Sequence, residues 1–281
     1  MLKQNTPEWL EARKSKIGAS DAGVIMGASP WATPYQLWEQ KLDLSPATFQ
    51  NQAMKRGLDL EDTARIELEK MTGLCFLPCV KFHASISYMM ASLDGLDIEG
   101  KHIAEIKCGN KIDHELAISG QVPDKYVPQL QHQLEVCQLD MVHYFSFDGQ
   151  KGVVVKFYRD DKYIKKMLKE EEKFWECMQS FIPPEMTSRD YELKTEHAWA
   201  RVAHEWKNTH FQLKELEAQE RMLRDNIISM SGSKNSIGGG IKVTRSLRKG
   251  NVDYSAIPEL KEVIIDKYRK KPVESYRITL T

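Results

Sequence analysis

The sequence lacks the features of a membrane or secreted protein. None of its apolar runs approaches the roughly 20 residues that a membrane-spanning helix needs. The amino-terminal segment MLKQNTPEWLEARKSK has no apolar core of the kind found in signal peptides. The five cysteines are an odd number without framework spacing, which argues against a disulfide scaffold. We therefore expect a soluble protein in a reducing, cytoplasmic compartment.

The chain also lacks an excess of either charge, since 40 basic residues balance 40 acidic ones. A uniformly basic surface is therefore excluded, and any surface for nucleic acid must be a local patch. The length of 281 residues allows one sizeable domain and an appendage.

The central pattern is a pair of predicted strands between residues 86 and 108. The first is an apolar run that ends at Leu93, and the predicted turn region carries Asp94-Gly95 and Glu99-Gly100. The second strand is Ile103–Lys107, in which apolar residues alternate with an acid and a base. This pattern predicts a hairpin with a charged face.

Asp94, Glu105 and Lys107 are the candidate catalytic residues of this hairpin. Strand alternation places Glu105 and Lys107 on the same face. With an aspartate from the neighbouring strand, they can hold a magnesium ion and orient a water molecule. The Glu-x-Lys spacing alone is weak evidence because it recurs elsewhere, for example at Glu205 and Lys207 in a helical segment. The alternative is an exposed hairpin whose charges face solvent.

A candidate phosphate site lies near the amino terminus. Arg13 belongs to a predicted helix that begins after Thr6, and the segment Ile17–Gly23 is rich in small residues. Ser20 is a suitable cap for a second helix that ends near Met26, and the amino-terminal end of a helix attracts phosphate. The alternative is a tight turn between two helices with an ordinary cap.

Other candidate polar residues lie on two predicted helices. Glu61 lies beside the apolar stripe of a helix predicted at Leu58–Met71, so its carboxylate can point inward. Gln129 and Gln133 lie four residues apart on a helix that begins at Pro128, and amides can hold a phosphodiester or a water without adding charge. The alternatives are a surface acid and a glutamine-rich surface helix.

The predicted elements mix helices with strands. After the amino-terminal helices come a strand at 75–82, the hairpin, a polar segment at 109–125 and the helix that ends at 139. Two strands at 141–148 and 152–158 and a charged helix at 160–181 follow. This order predicts an α/β fold with a central mixed sheet flanked by helices, in a domain of residues 1–188.

Residues 189–281 form a predicted carboxy-terminal α+β extension. A helical stretch at His197–Met230 suggests a helical hairpin or arm, and Gly238–Gly240 suggests a flexible joint. From Ser231 onward, 11 basic residues face five acidic ones, and a closing strand is predicted at Glu274–Leu280. Four basic residues cluster on one predicted strand and turn: Lys242, Arg245, Arg248 and Lys249.

Taken together, these segments resemble the YqaJ-like viral recombinases, the lambda exonuclease family of PD-(D/E)XK nucleases. The matching blocks follow the family's order and lie in the predicted first domain. They are Trp9-x3-Arg13 with Ile17–Asp21, Ser29–Trp31 with Thr33–Trp38, Arg56-Gly57 with Glu61, Asp94 with Glu105-x-Lys107, and Tyr126-x2-Gln129-x-Gln131-x-Gln133. The proline that precedes the aspartate in much of the superfamily is replaced by Leu93.

The resemblance implies a restriction-endonuclease-like core and a magnesium-dependent deoxyribonuclease, most similar to a 5′→3′ exonuclease on double-stranded DNA ends in phage-type recombination. Asp94, Glu105 and the backbone carbonyl of Ile106 would bind Mg²⁺ or Mn²⁺. Glu61 would help to hold a second ion, and Lys107 would orient the attacking water.

The resemblance also implies binding residues and partners. Arg13 and Ser20 would hold a 5′-phosphate, while Tyr126, Gln129 and Gln131 would flank the site as DNA-binding residues. The expected assembly is a homo-oligomer, with a trimer favoured. A single-strand annealing protein is an expected partner, in the cytoplasm of a bacterial or phage-infected cell.

Three alternatives remain at the level of sequence. One is a restriction or repair endonuclease on the same core, which would cut closed circular DNA. Another is an iron–sulfur nuclease, which would need four suitably placed cysteines, whereas Cys108, Cys137 and Cys177 are scattered. The last is a non-catalytic DNA-binding or assembly module, in which the carboxy-terminal arm would be the working part.

Overall fold

The computed structural model describes residues 2–45, 52–232 and 234–246 together with positions 250, 257 and 263; for residues 52–55, 57 and 58 it describes the backbone alone. The chain separates into two units, Met1–Tyr191 and Glu192–Thr281. In chain order, the first unit contains α1 (Pro7–Lys14), β1 (Ile17–Gly18), α2 (Ala19–Ile25), α3 (Pro34–Lys41), α4 (Gln52–Thr72), β2 (Phe76–Phe82), β3 (Met89–Asp97), β4 (Ile103–Lys107), α5 (Lys111–Ile118), a 3-10 turn (Asp124–Tyr126), α6 (Val127–Cys137), β5 (Met141–Phe147), β6 (Gly152–Tyr158) and α7 (Asp161–Ser180).

A mixed sheet of six strands organises the first unit, with β3 near its centre. The strand order is β1-β3-β4-β5-β6, and β2 also pairs with β3. The β1–β3 and β4–β5 pairs are parallel, while β2–β3, β3–β4 and β5–β6 are antiparallel. Because β3 contacts three other strands, it links the amino-terminal segment to the strand that carries Glu105 and Lys107.

Helices cover both faces of this sheet. On one face α6 contributes Leu130 and Leu134 to a buried cluster with Leu93 and Ile103. On the other, Leu68 of α4 packs in a second cluster with strand residues, which include Ala104, Ile106, Phe76 and Phe145. Alternation along β4 accounts for this division, since Ile103 belongs to one cluster while Ala104 and Ile106 belong to the other. The prediction of a central mixed sheet flanked by helices is confirmed.

The structure makes two helical predictions in the first unit more definite. The segment 109–125, predicted to be polar and either looped or weakly helical, contains α5, which Asn110 caps by accepting a hydrogen bond from the backbone N–H of Asp113 at 3.0 Å. Helix α4 begins at Gln52, earlier than the predicted start at Leu58.

The second unit contains one long helix and a small hairpin. Helix α8 (His197–Met230) has 34 residues, so the segment predicted to be a helical hairpin or arm is one continuous helix. The predicted flexible joint is the turn of a hairpin between β7 (Ser236–Gly238) and β8 (Ile241–Val243). Gly239 and Gly240 form that turn with φ of 56° and 79°, a conformation that favours glycine. The strand predicted at Glu274–Leu280 lies outside the described residues.

Across the part of the chain that the structure describes, no helix combines the length and apolarity needed to cross a membrane.

Candidate active site

Asp94 lies inside β3, not in the predicted turn. Its Oδ2 accepts a hydrogen bond from the backbone N–H of Ile106 on β4 at 2.8 Å. Gly95 is required by packing, since a Cβ there would lie 2.6 Å from the Cβ of Phe76. The turn comes later, where Asp97 accepts hydrogen bonds from the next loop's backbone. Gly95 therefore allows β3 to approach Phe76 of β2 closely, and Asp94 holds its carboxylate against β4.

Glu105 and Lys107 point to the same side of β4, as the alternation predicts. Glu105 is 1% exposed, and its Oε1 lies 2.5 Å from the Nζ of Lys107. Two further hydrogen bonds hold the same carboxylate, because Gln129 donates to Oε1 at 2.6 Å and Gln133 donates to Oε2 at 2.5 Å. These contacts fix the orientation of a buried anion that would otherwise be costly to desolvate.

The structure does not bring Gln131 to the carboxylates. Its side chain donates to the carbonyl of Tyr158 at 3.0 Å and accepts from the backbone N–H of Asp160. The residue at the site is Gln133, which lies four positions after Gln129 and so shares its helix face, whereas Gln131 faces β6 and α7. Spacing alone distinguishes the two, since residues two apart on a helix face different directions.

The electrostatics of the site favour a cation. Burial and the neighbouring charge of Glu105 raise the pKa of Asp94 well above its ordinary value. Burial alone would lower the pKa of Lys107, but Glu105 and Asp94 outweigh it and raise that pKa, so the side chain stays protonated. One ammonium therefore faces two carboxylates, and the charge of Glu61 adds to the raised pKa of Asp94.

The donor set fits a hard divalent cation. Asp94 and Glu105 supply carboxylate oxygens, which suit Mg²⁺ or Mn²⁺, and Ile106 between Glu105 and Lys107 supplies a backbone carbonyl. Glu61 is ion-paired with Arg65 at 3.1 Å. Among the described residues, no group of three or more His, Cys, Asp or Glu side chains is close enough to hold a metal ion. The candidate metal centre is the pair of carboxylates of Asp94 and Glu105. Glu61 is close enough for its charge to affect the pKa of Asp94.

A cluster of aromatic and charged side chains lies beside Lys107, and its two aromatic residues, Trp31 and Tyr126, belong to segments identified from the sequence. The Nζ of Lys107 lies 5.0 Å from the ring centre of Tyr126. Lys125 lies over the rings of Tyr126 and Trp31 and is ion-paired with Asp113 at 2.7 Å. Asp113 and Lys125 were missed because they belong to α5 and the 3-10 turn, which show no distinctive pattern.

Arg13 and Ser20 are brought together as predicted for a phosphate site. The guanidinium Nη2 of Arg13 donates to the Oγ of Ser20 at 2.9 Å, and it lies over the ring of Trp9. Ser20 is not the helix cap, because Gly18 caps α2 and its N–H donates to the carboxylate of Asp21. The hydroxyl of Ser20 is exposed and available to Arg13 for this reason.

A buried ion pair fixes the segment behind Arg13. The Nζ of Lys41 lies 2.5 Å from Asp21 Oδ2 and also donates to the carbonyls of Arg13 and Lys16. Although burial opposes it, the charges of Lys41 and Arg13 lower the pKa of Asp21. Gly18 pairs with Met90 on β3, four residues before Asp94, so strand rise separates these positions by about 13 Å.

Part of the sequence matches the model of a known protein family. Residues 8–140 match the model of the YqaJ-like viral recombinase domain. The uncharacterized protein YqaJ of Bacillus subtilis is 31% identical over 174 residues, which are 60% of this chain. The matched region is 54% of YqaJ, so the chain spans about half the length of that relative.

The solved structures that are similar to this chain include an exonuclease. The alkaline exonuclease LHK-Exo from Laribacter hongkongensis is 27% identical, with a TM-score of 0.54, over 63% of this chain and 94% of its own. Its complex with dAMP gives a TM-score of 0.55 over the same shares. The first unit therefore has the nuclease fold of phage-type exonucleases, and residues 8–140 are similar to the YqaJ-like viral recombinase domain.

Proposed function

We propose that the chain is a magnesium-dependent deoxyribonuclease that degrades double-stranded DNA from its 5′ ends. The observation that carries this proposal is the buried carboxylate of Glu105, held by two amides and by Lys107 beside Asp94. The similarity to the alkaline exonuclease LHK-Exo, which has a structure in complex with dAMP, supports a nuclease that contacts nucleotides. Mg²⁺ is the proposed cofactor, in two ions, with Mn²⁺ able to substitute.

The chain's own residues would orient the reaction. Gln129 and Gln133 hold the carboxylate of Glu105 in one orientation, so that it is ordered before a cation binds. Lys107, protonated at neutral pH, would donate a hydrogen bond to the attacking water and stabilise its deprotonated form. A bound Mg²⁺ would supply the charge that offsets the negative charge on the scissile phosphate in the transition state.

The Arg13–Ser20 pair is the proposed site for the terminal 5′-phosphate. A guanidinium can donate two hydrogen bonds to a phosphate, and the exposed hydroxyl of Ser20 adds a third. The position of this pair relative to the candidate metal centre supports this role. Strand β1, which precedes Ser20, pairs with β3 at Met90, four residues before Asp94. A phosphate held there would fix the distance from the DNA end to the reacting phosphodiester.

The partners of the chain are also proposals. We expect a homo-oligomer, with a trimer favoured, and an annealing protein that receives the single strand. The basic segment after α8 has two proposed roles, holding DNA outside the active site or docking this annealing protein. Of its four clustered basic residues, Lys242 and Arg245 are described and exposed, whereas Arg248 and Lys249 lie outside the described residues.

Linear duplex DNA labelled at one end tests the proposed reaction. With Mg²⁺, label at the 5′ end should appear at once as mononucleotide, while label at the 3′ end should stay in long strands until late. Release without Mg²⁺, or early release from the 3′ end, would contradict the proposal. Cleavage of closed circular DNA would favour an endonuclease, and no cleavage of any substrate would favour a non-catalytic module.

A further inference from the structure

The loop between α2 and α3 presents an exposed indole ring on a fixed backbone. Trp31 is 68% exposed, whereas Ser29 and Thr33 on either side of it are buried. The Oγ of Ser29 accepts a hydrogen bond from the backbone N–H of Trp31 at 3.2 Å, and the carbonyl of Ser29 accepts one from the guanidinium of Arg189 at 2.9 Å. Thr33 caps α3 and donates to the carboxylate of Asp190. The loop is therefore anchored on both sides of the exposed ring.

Two further side chains contact the indole ring of Trp31. The ring centres of Trp31 and Tyr126 are 6.4 Å apart, with an angle of 33° between the ring planes. The Nζ of Lys125 lies 5.2 Å from the ring centre of Trp31 and 5.1 Å from that of Tyr126, within the range of cation–π attraction. The buried carboxylate of Asp113 is ion-paired with Lys125 at 2.7 Å and accepts a hydrogen bond from the hydroxyl of Tyr126 at 3.4 Å. The cluster therefore orders the indole ring before a ligand binds.

Tyr126 connects this cluster to the candidate active site. The ring centre of Tyr126 lies 5.0 Å from the Nζ of Lys107, which in turn contacts Glu105. A DNA strand with a phosphate at this lysine therefore has a neighbouring nucleotide close to Trp31. Every nucleobase has a flat π face that stacks on an aromatic ring, and such stacking contributes to the binding of unpaired strands by many proteins. The exposed indole ring of Trp31 offers a face of this kind beside the site.

We propose that Trp31 stacks on a nucleobase of the strand that is degraded, at a nucleotide close to the scissile phosphodiester. Tyr126 and Lys125 are positioning residues for this contact, since both lie against the indole ring and Asp113 holds both of them. The ligand of Trp31 is a base and not a phosphate, because the face of an indole ring carries neither a positive charge nor a hydrogen-bond donor. This role of Trp31 rests on the proposed function, since it requires DNA in the active site.

Base pairing restricts which nucleotide Trp31 can contact. Inside a duplex both faces of a base are covered by its stacked neighbours, so only an unpaired base or one in the terminal pair has a free face. Trp31 would therefore favour DNA ends at which the strand is already unpaired. The contact should have little sequence preference, because stacking depends on the π face and not on the hydrogen-bonding edge of the base.

Affinity for linear DNA tests the role of Trp31 separately from cleavage. The probe is a duplex with an unpaired 5′ end and phosphorothioate linkages, which resist hydrolysis, and the full chain is titrated into it with Mg²⁺ present. Trp31→Ala should raise the Kd roughly tenfold or more. Trp31→Phe, which keeps an aromatic ring, should bind close to the parent, whereas Trp31→Leu, which keeps only apolar bulk, should bind like Trp31→Ala. The matched control is Trp199→Ala, since Trp199 is also an exposed tryptophan, at 59%, but belongs to α8. An equal Kd for the parent and Trp31→Ala would overturn the proposal.

Removal of a base from the DNA identifies the stacked nucleotide. In a series of such duplexes, each lacks a single base near the 5′ end of the strand. One abasic position should raise the Kd of the parent roughly tenfold. The same position should have no further effect on Trp31→Ala, because the two changes remove one contact. Equal effects of every abasic position on the two proteins, in a parent that degrades linear DNA, would overturn this role of Trp31 alone. A parent that neither binds nor degrades linear duplex DNA would overturn the proposed function as well.

Discussion

Glu105 is the residue on which the contacts of the candidate site converge. Its two oxygens accept hydrogen bonds from two glutamine amides and contact one ammonium, so the position of the carboxylate is determined by three side chains. Such a carboxylate loses little entropy when it binds a cation, because it is already ordered. The site therefore has the preorganisation that catalysis by charge stabilisation requires.

Replacement of Lys107 tests this arrangement at the level of one residue. Lys107→Ala should lower the rate on linear duplex DNA roughly 100-fold or more, since it removes the ammonium that contacts Glu105. Lys101→Ala is the matched control, because Lys101 forms an exposed Glu-x-Lys pair with Glu99 at 2.8 Å. Equal rates for the two variants in a single-turnover assay would contradict the assignment of β4.

Arg13 allows a second test on a single side chain. Duplexes with a 5′-phosphate should be degraded faster than duplexes with a 5′-hydroxyl, and Arg13→Ala should remove this difference by raising KM roughly tenfold or more. Lys14→Ala is the control, since Lys14 lies on the same helix but is paired with Asp43. The KM for both kinds of end checks the prediction, and equal KM values in the parent would exclude the phosphate site.

Secondary structure was predictable where apolar residues recur regularly. Strands β4, β5 and β6 and helices α6 and α7 agree with the sequence-based bounds within a few residues. Asp94 was misplaced because an Asp-Gly pair favours a turn locally, whereas the packing of Phe76 against Gly95 is a contact between distant residues. Likewise, the cap that Asn110 provides for α5 is a weak signal until the helix has neighbours.

The orientation of α6 depends on a buried ion pair that periodicity does not reveal. His132, between the two glutamines that hold Glu105, contacts Glu171 of α7 at 2.7 Å and the carbonyl of Met90 at 3.0 Å. His132 and Glu171 are both fully buried. This pair joins α6, α7 and β3, and it thereby helps to fix the helix face that Gln129 and Gln133 present.

The ion pair predicts a pH dependence of folding stability. Burial would lower the pKa of His132, but Glu171 outweighs it and raises this pKa above the ordinary 6.5. The stabilisation that this ion pair contributes to folding is therefore present below pH 6.5. It is lost as the pH rises through the raised pKa of His132. Urea unfolding at several pH values should show this decline in the parent and a flatter profile in the His132→Gln/Glu171→Gln double variant. Identical profiles would contradict the prediction.

Replacement of one residue of the His132–Glu171 pair should lower the free energy of unfolding more than replacement of both. His132→Gln alone leaves the carboxylate of Glu171 buried without its cation, which costs about 3–5 kcal/mol of unfolding free energy. Urea unfolding at pH 6 measures this difference. A double variant less stable than His132→Gln would show that the two side chains act independently.

For the molecule as a whole, the two units differ in how far sequence explains them. The family match ends at residue 140, inside the first unit, where sheet, helices and candidate site form one arrangement. The second unit has a long helix and a basic hairpin, and its role depends on other molecules, which a single sequence does not contain. Periodicity predicted α8, and its form as a single helix agrees with the absence of Gly and Pro along its length.

The basic hairpin predicts how the whole molecule responds to salt. If Lys242 and Arg245 contact DNA phosphates, alanine at both positions should reduce the slope of log binding constant against log salt by about two, because each phosphate contact contributes about 0.9. Processive degradation of long duplexes should fall, while the rate on very short duplexes should stay close to that of the parent. The control is Lys207→Ala/Arg221→Ala, which removes the same charge from α8. If the hairpin instead docks the annealing protein, the alanine variant should keep the parent's salt slope and should no longer co-purify with that partner. The slope measured across roughly 50–200 mM salt therefore decides between the two roles.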